Sequence, residues 1–157
     1  MLYNTNTLKY VLAFLTSLGE KYLTFINPSM STQVGDIGIL PLLITENLEV
    51  VENINNLVIK NLNISKEEWD SRETSWDFEK LSLIDSKDLK TAYENYCNHW
   101  RDNFVQLHKN EEELNRLFIE IYDLQDEMDE KVSFDDITIL KKEAKIIQID
   151  NSVPKEF

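Results

Sequence analysis

The stretch from Ser86 to Met128 most constrains the fold of this chain, because one apolar stripe runs through it at helical spacing. The stripe predicts an amphipathic helix of roughly forty residues, on the order of 60 Å long, with Ser86 as its N-cap. Such a helix is too long for a compact core of its own, so we expect it to lie against another helix or against a larger protein. The stripe consists of Leu89, Tyr93, Tyr96, Trp100, Leu107, Leu114, Leu117, Ile121 and Leu124.

Two positions of the apolar stripe are occupied by polar residues, Asn103 and Asn110. Phe104 supplies apolar bulk beside the first, and polar residues at such positions weaken a coiled coil while fixing its register. Asn110 with Glu113 can also cap a new helix and divide the long one in two. Because the apolar stripe keeps its phase on both sides of Asn110, we expect one continuous helix.

A second amphipathic helix is predicted after Thr45, a suitable N-cap, as far as about Asn63. Ser65 and Glu68 have the S-x-x-E spacing of a capping box, which predicts the start of a further helical turn. The apolar stripe of this second helix is Leu48, Val51, Val58 and Leu62, with Ile54 and Leu57 flanking it.

The connection between the two helices is rich in aromatic residues, which favours an antiparallel helical hairpin. We expect Trp69, Trp76 and Phe78 to pack at its closed end. Aromatic side chains can also stack on nucleic-acid bases, but these three lie among acidic residues, so structural packing is the favoured interpretation.

The N-terminal part has a different sequence pattern. Asn4, Thr5 and Asn6 are good N-cap types, and the apolar residues that follow predict a short helix ending at Gly19. The expected stripe of this helix is Leu8, Val11, Leu12, Leu15 and Leu18. From Lys21 to Leu43, proline and glycine alternate with apolar residues, which predicts irregular chain with one or two short strands around Val34, Ile37 and Ile39.

These patterns predict a mainly α fold: an antiparallel helical hairpin or coiled coil with a long C-terminal helix, plus a small irregular α+β N-terminal segment. Only three glycines and three prolines occur, in agreement with a mostly helical chain. The expected divisions are residues 1–43, 44–130 and 131–157. The last of these loses helical phase and is predicted to form short strands or an irregular arm, ended by Pro154.

The formal net charge is −13, and its distribution matters more than its size. Residues 1–41 contain Lys9, Lys21, Glu20 and Asp36, so they are neutral and the rest of the chain carries the whole charge. DNA binding depends mainly on cationic contacts to phosphate, so residues 42–157 are predicted to form a poor DNA surface. An acidic face is more often solvated, or it docks a basic partner.

The chain is predicted to be cytoplasmic. No apolar run approaches the roughly twenty residues that span a bilayer. The N-terminus lacks the basic start and small-residue cleavage site of a secretion signal. Cys97 is the single cysteine and has no internal disulfide partner, which fits a reducing compartment.

Three segments carry a resemblance to a known family. NEEELNRLFIEIYDLQDEM at 110–128 resembles a segment near the C-terminal end of BREX-type (bacteriophage exclusion) adenine-specific DNA methyltransferases, and is also similar to fused type II restriction–modification enzymes. FINPSMSTQVGDIGILPLL at 25–43 resembles the end of their target-recognition region, and ISKEEWDSRETSWDF at 64–78 resembles the linker that follows it. The three segments occur in the family's order.

The resemblance implies that residues 1–43 are a remnant of a target-recognition domain, with DNA contacts at Lys9, Lys21 and Gln33. Polar side chains such as Ser31, Thr32 and Gln33 suit phosphate or base edges. From composition alone, a surface connector is the favoured interpretation of the same residues, and the resemblance brings the two interpretations close to even.

No catalytic residue is predicted. An adenine methyltransferase needs a glycine-rich turn for S-adenosylmethionine and an Asn/Asp-Pro-Pro-aromatic loop at the flipped adenine, and neither occurs; Asn27-Pro28-Ser29 is the nearest approach. We therefore expect no cofactor in this chain, although the parent family uses S-adenosylmethionine. A metal site is not expected either, because Cys97 and His99 point to different faces of a helix, and His108 with Glu112 supplies only two ligands.

Two functions remain open at this point. The first is a non-catalytic C-terminal fragment of an adenine-specific DNA methyltransferase of a phage-defence system, with a scaffolding and target-recognition support role. Its partners would be DNA, through residues 1–41 or the parent enzyme, and the remaining methyltransferase domains or other defence subunits. The second is a freestanding acidic helical interaction protein that forms a homodimer or docks on a basic partner.

Overall fold

The computed structural model describes residues 5–27, 33–81, 88–137 and 139, and in this part of the chain it contains five α-helices and no strand. The predicted mainly helical class is confirmed. No helix in the described ranges is both long and apolar enough to span a membrane. The helices are α1 (Thr5–Leu15), α2 (Leu18–Ile26), α3 (Val34–Gly38), α4 (Leu48–Asp70) and α5 (Leu89–Ile121).

The chain divides into two compact units, each with its own core. Unit 1 comprises residues 1–60 and 110–131, and unit 2 comprises residues 61–109 and 132–157. Both α4 and α5 contribute residues to each unit. The division of the sequence expected at residues 43 and 130 stays a prediction.

In unit 1, the face of α1 that is buried differs from the expected one. Tyr10, Ala13 and Phe14 are at most 1% exposed, whereas Leu8 is 54% exposed. These three buried residues have the i, i+3, i+4 spacing of one helix face. The expected stripe was wrong for Leu8 and Leu12, which are exposed, whereas Leu18 belongs to the core and Leu15 packs against it. Helix α1 carries apolar residues on several faces, and the aromatic face packs on Phe118 with ring centroids 5.4 and 5.8 Å from Tyr10 and Phe14.

Gly19 does not end the first helix, as the sequence suggested, but lies in the first turn of α2. A Cβ atom at this position would lie 2.7 Å from the carbonyl oxygen of Phe14. The glycine is therefore required by a close approach of the two short helices. In the short connection between these helices, the Ser17 hydroxyl donates a hydrogen bond to the Ala13 carbonyl at 2.7 Å.

The short strands expected around Val34, Ile37 and Ile39 are absent from the described residues, and Val34–Gly38 forms α3 instead. Gln33 and Asp36 make a reciprocal capping box that starts this turn of helix. The sequence interpretation was wrong here because alternating apolar residues suggested a strand, while the local capping hydrogen bonds favour a helix.

Helix α4 starts later and ends later than predicted. The Asn47 side chain accepts hydrogen bonds from the backbone N–H groups of Glu49 and Val50 at 3.0 and 3.4 Å, so Asn47 rather than Thr45 is its cap. The helix then continues through Asp70, and the proposed new start at Ser65 lies inside it. Its buried apolar residues in unit 1 are Ile54, Leu57 and Val58. The core therefore takes Val58 from the expected stripe together with both flanking residues, while Leu48 and Leu62 are exposed.

Helix α5 is continuous across Asn110, as predicted, although it ends at Ile121 rather than Met128. Its expected cap, Ser86, lies outside the described residues, and the Asp88 carboxylate accepts a hydrogen bond from the Thr91 backbone N–H at 3.1 Å. The helix ends in a Schellman motif, in which Leu124 N–H donates to the Ile119 carbonyl and Asp123 has a φ angle of 56°.

The stripe of α5 is buried in its central and C-terminal parts. In unit 1, Leu114, Leu117 and Phe118 join the core that α1, α2 and α4 form. In unit 2, the core comprises Ile64, Trp100, Phe104, Leu107, Ile137 and Ile139. The N-terminal end of the stripe departs from expectation, since Leu89 is 72% exposed.

The segment after residue 131 contributes Ile137 and Ile139 to the core of unit 2 without forming a strand in its described part. The remainder of the predicted arm, residue 138 and residues 140–157, lies outside the described residues. The aromatic residues expected to pack at a closed end do not all do so. Trp69 is 55% exposed and Trp76 is fully exposed.

Candidate functional site

The three predicted DNA contacts lie in unit 1 on three successive helical elements. Lys9 is half-buried on α1, Lys21 is exposed on α2, and Gln33 is exposed at the start of α3. Helix α1 contacts α2, and α2 contacts α3, so all three side chains belong to one cluster of short helices. Ser31 and Thr32, the other candidates in this segment, lie outside the described residues.

Gln33 forms the capping hydrogen bonds that start α3 in this cluster. Its side chain accepts a hydrogen bond from the Asp36 backbone, and its own backbone N–H donates to the Asp36 carboxylate at 2.9 Å. The Asn27 side chain donates to the same carboxylate oxygen at 2.9 Å and ties the end of α2 to α3. The Gln33 N–H, and then Asn27, hold the pKa of Asp36 below its ordinary value, so the carboxylate is charged at neutral pH.

Lys21 is directed toward an acidic segment. Its Nζ donates to the backbone carbonyl of Asp129 at 3.5 Å, within a stretch that also contains Glu130. Nearby carboxylates weaken the field that a lysine presents to phosphate. A DNA role for Lys21 therefore requires its long side chain to leave this position.

The candidate metal-binding side chains are separated by their packing. The described residues contain no group of three or more potential ligands arranged to hold a metal ion. His99 lies 2.7 Å from a Glu67 carboxylate oxygen, whereas His108 lies 2.8 Å from the Val132 carbonyl and packs on Phe134 at 4.5 Å. Cys97 is half-buried against the core of unit 2.

Unit 2 contains a cavity of about 390 Å³ that the sequence interpretation missed. Four carboxylates line it: Glu67, Asp70, Asp77 and Glu79. Ser71, Lys80, His99 and Trp100 complete the wall. We call this the acidic cavity.

One lysine on the rim organises two of these carboxylates. Lys66 Nζ lies 2.6 Å from Asp70 and 2.9 Å from Asp77. Lys66, followed by the Ser75 hydroxyl, holds the pKa of Asp70 below its ordinary value. The i, i+4 spacing of Lys66 and Asp70 was visible in the sequence, but the approach of Asp77 and Glu79 depends on how the chain turns after α4.

Comparison with known proteins finds two relatives of one kind. The adenine-specific methyltransferase PglX of Lacticaseibacillus casei (strain Zhang) is 33% identical over 141 residues, which cover 85% of this chain and 11% of that protein. The adenine-specific methyltransferase BrxX of Escherichia coli O9:H4 (strain HS) is 31% identical over 112 residues, or 68% of this chain and 9% of that protein. The chain thus spans about a tenth of the length of these relatives.

No protein-family description matches the chain, and no solved structure matches it. The two relatives confirm the resemblance to BREX-type adenine-specific methyltransferases that the three sequence segments carry.

Proposed function

From the similarity to BREX-type adenine-specific methyltransferases, we propose that this chain is a non-catalytic C-terminal segment of such an enzyme. In the intact protein, a methyl group passes from S-adenosylmethionine to the exocyclic amine of adenine within a defined DNA site. The segment holds the end of the target-recognition region against the enzyme body, in the cytoplasm and as part of a phage-defence system. The observation that carries this proposal is the 33% identity over 85% of the chain.

The architectural part of the proposal is an antiparallel hairpin of α4 and α5. Its support comes from core membership within each unit. In unit 1, Ile54 of α4 shares a core with Phe118 of α5, and in unit 2, Ile64 of α4 shares a core with Trp100 of α5. A packed helical scaffold of this kind suits a supporting role, because buried apolar side chains give a rigid element.

The proposed DNA-facing part is the neutral segment of residues 1–41, through Lys9, Lys21 and Gln33. Neutral surface repels DNA less than the acidic remainder of the chain, so this segment is the part that can approach phosphate. The chain itself binds no S-adenosylmethionine, because the motifs that hold this cofactor are missing from its sequence.

A segment-exchange experiment tests the proposal. The segment of L. casei PglX that matches this chain is deleted in one variant and replaced by this chain in another, and adenine methylation of DNA is measured. We expect the deletion to abolish methylation and the replacement to restore it. An exchanged enzyme that binds S-adenosylmethionine normally but does not methylate contradicts the proposal, as does a deletion variant with full activity.

Calorimetry on the isolated chain tests the cofactor part separately. We expect no heat of binding with S-adenosylmethionine, whereas the intact relative serves as the positive control. Saturable binding to this chain alone would show that the cofactor part is wrong.

A second candidate function is a freestanding acidic interaction protein that dimerises or docks on a basic partner. The net charge of −13, carried entirely by residues 42–157, favours it. Sedimentation and DNA binding separate the two functions. Salt-dependent binding to duplex DNA that is lost in a Lys9→Ala, Lys21→Ala variant supports the methyltransferase segment, whereas a stable dimer indifferent to DNA supports the interaction protein.

A further inference from the structure

We propose that an apolar face of unit 1 is the surface on which the remainder of the methyltransferase chain packs. This inference rests on the proposed function and adds to it the residues that make the contact. The apolar face consists of exposed side chains of α3 and of the segment that follows it. They are Val34, Ile37, Ile39, Leu43 and Ile44, which are between 42% and 88% exposed.

The run IGILPLLI at 37–44 has apolar side chains on two sides. Leu40 and Leu42 pack against the core of unit 1, whereas Ile39 and Leu43 are exposed. Inward and outward residues alternate here as in a half-buried segment, in which the outward residues are ordinarily polar. A continuous apolar run is instead typical of chain that is covered on both sides. The core of unit 1 is one cover, and the described residues leave the other side of the run exposed.

The charge of this region favours protein rather than nucleic acid as the second cover. Residues 25–45 contain one charged side chain, Asp36, whose carboxylate already accepts the Gln33 N–H as part of the cap of α3. The proposed cationic contacts to DNA, Lys9 and Lys21, lie outside this range. Because phosphate is bound mainly by cations, a neutral apolar surface suits the apolar surface of another protein region better.

The backbone beneath the apolar face is held by hydrogen bonds to two tyrosines. The Tyr122 hydroxyl accepts a hydrogen bond from the Leu43 N–H at 2.8 Å, and the Tyr10 hydroxyl donates to the Leu43 carbonyl at 3.0 Å. Docking on a surface that is already ordered costs less conformational entropy than docking on one that must first be ordered. The apolar face therefore meets this requirement of a docking surface.

The comparisons indicate which polypeptide is available to cover the apolar face. The match with PglX of L. casei covers 85% of this chain, so it includes residues 37–44 wherever it begins, yet it accounts for only 11% of that protein. In the relative, the remaining chain is joined covalently to this segment. A surface on the same polypeptide has a high effective concentration, which favours it over a second copy as the occupant.

Thiol labelling tests whether the apolar face is covered. An Ile39→Cys variant is prepared as the isolated chain and as L. casei PglX that carries this chain in place of its matching segment. The rate of maleimide modification at position 39 is read by peptide mass spectrometry. We expect a rate about tenfold lower in the exchanged enzyme, because the thiol is covered there. Leu89→Cys, at a 72% exposed position of α5, is the matched control and is expected to react alike in both proteins. An unchanged rate at position 39, or equal protection of both positions, overturns the proposal.

Polar substitutions test whether the enzyme needs the apolar face. In the exchanged enzyme, the Ile39→Ser, Leu43→Ser variant is expected to lower the methylation rate about tenfold, because two apolar side chains are no longer buried in the contact. The matched control, Leu62→Ser, Leu89→Ser, changes two exposed leucines of unit 2 and is expected to alter the rate less than about twofold. The urea midpoint of each variant as the isolated chain is expected to stay near that of the wild type, since the substituted side chains are exposed. Equal loss of methylation in the two variants overturns the proposal.

Failure of this inference can be distinguished from failure of the proposed function. An exchanged enzyme with the unaltered chain that does not methylate DNA contradicts the proposed function, and with it this inference. Normal methylation by that enzyme and by its Ile39→Ser, Leu43→Ser variant overturns this inference alone. Sedimentation of the isolated chain tests the other occupant: a dimer that this double variant abolishes, with position 39 still reactive in the exchanged enzyme, makes a second copy the occupant and overturns the proposal.

Discussion

The Tyr122 hydroxyl donates a hydrogen bond to the Pro41 carbonyl oxygen at 2.5 Å. The same hydroxyl accepts a hydrogen bond from the Leu43 backbone N–H at 2.8 Å, and the Tyr10 hydroxyl donates to the Leu43 carbonyl at 3.0 Å. Two tyrosines, one beyond the end of α5 and one on α1, thus hold the irregular segment between α3 and α4. Hydrogen bonds from these two side chains satisfy backbone groups of a segment that forms no strand pairing.

Replacing Tyr122 by phenylalanine is expected to destabilise the protein by about 1–2 kcal/mol, because two backbone groups lose their partner while the ring remains. Urea denaturation followed by circular dichroism measures the change. Tyr22→Phe is the matched control, since Tyr22 is a partly buried tyrosine that packs against the same core. Equal losses in the two variants would show that the hydroxyl of Tyr122 contributes nothing.

Gly19→Ala is expected to destabilise the protein by about 1–3 kcal/mol, because the new Cβ would lie 2.7 Å from the Phe14 carbonyl oxygen and the backbones of α1 and α2 must separate. Gly35→Ala is the matched control. No atom lies within 4 Å of a Cβ built there, and alanine favours the helix. Denaturation midpoints of the two variants should move in opposite directions, and a fall for both would contradict the argument.

Asp123→Gly is expected to stabilise the protein by about 0.5–1 kcal/mol. Asp123 occupies the left-handed region at the C′ position of α5, where glycine avoids the steric penalty of a side chain. Asp126→Gly removes the same charge from the following turn at a residue without positive φ, and it is expected to be neutral or destabilising. Thermal denaturation of both variants checks the prediction, which fails if the two shift alike.

Asp88→Ala is expected to lower Tm at pH 7 because it removes the cap of α5. Hydrogen bonds from Thr91 hold the pKa of the Asp88 carboxyl below its ordinary value. A carboxyl with a lowered folded-state pKa stabilises the fold above the unfolded-state pKa, about 3.9, and this stability is lost as the pH falls through the folded-state value. The difference in Tm between wild type and variant should therefore shrink below about pH 3.9.

The control for this pH dependence is Asp102→Ala, an exposed aspartate within the same helix. It removes the same charge without removing a cap, so its effect on Tm at pH 7 is expected to be smaller. A Tm difference for Asp88→Ala that stays constant from pH 7 to pH 2 would rule out the carboxylate as the source of the stabilisation.

The apolar stripe of α5 could be predicted because it is long and regular. From Trp100 to Leu117 the buried residues follow the predicted phase, and Phe104 fills the position beside Asn103. Asn110, buried at 3% exposure, interrupts the apolar pattern but not the helix. Over many turns, one polar residue does not outweigh the summed burial of its apolar neighbours.

The acidic cavity could not be predicted in this way. The sequence shows acidic residues near Trp69 and Trp76, and packing at a closed end was a reasonable interpretation of the two aromatic residues. The cavity requires Asp77 and Glu79 to turn back toward α4, where Lys66 contacts both Asp70 and Asp77. Such an approach depends on the path of a turn, which local sequence patterns do not specify.

The sequence by itself determined that this chain is mainly helical, that its longest helix is continuous across Asn110 and that it resembles adenine-specific methyltransferases. Only the tertiary structure decided which face each shorter helix buries. Helix α1 is apolar on several sides, so its periodicity permits more than one buried face. The choice of Tyr10, Ala13 and Phe14 follows from their fit against Phe118 and from the close approach at Gly19. Where helical periodicity permits several buried faces, contacts with residues distant in the sequence decide which face is buried.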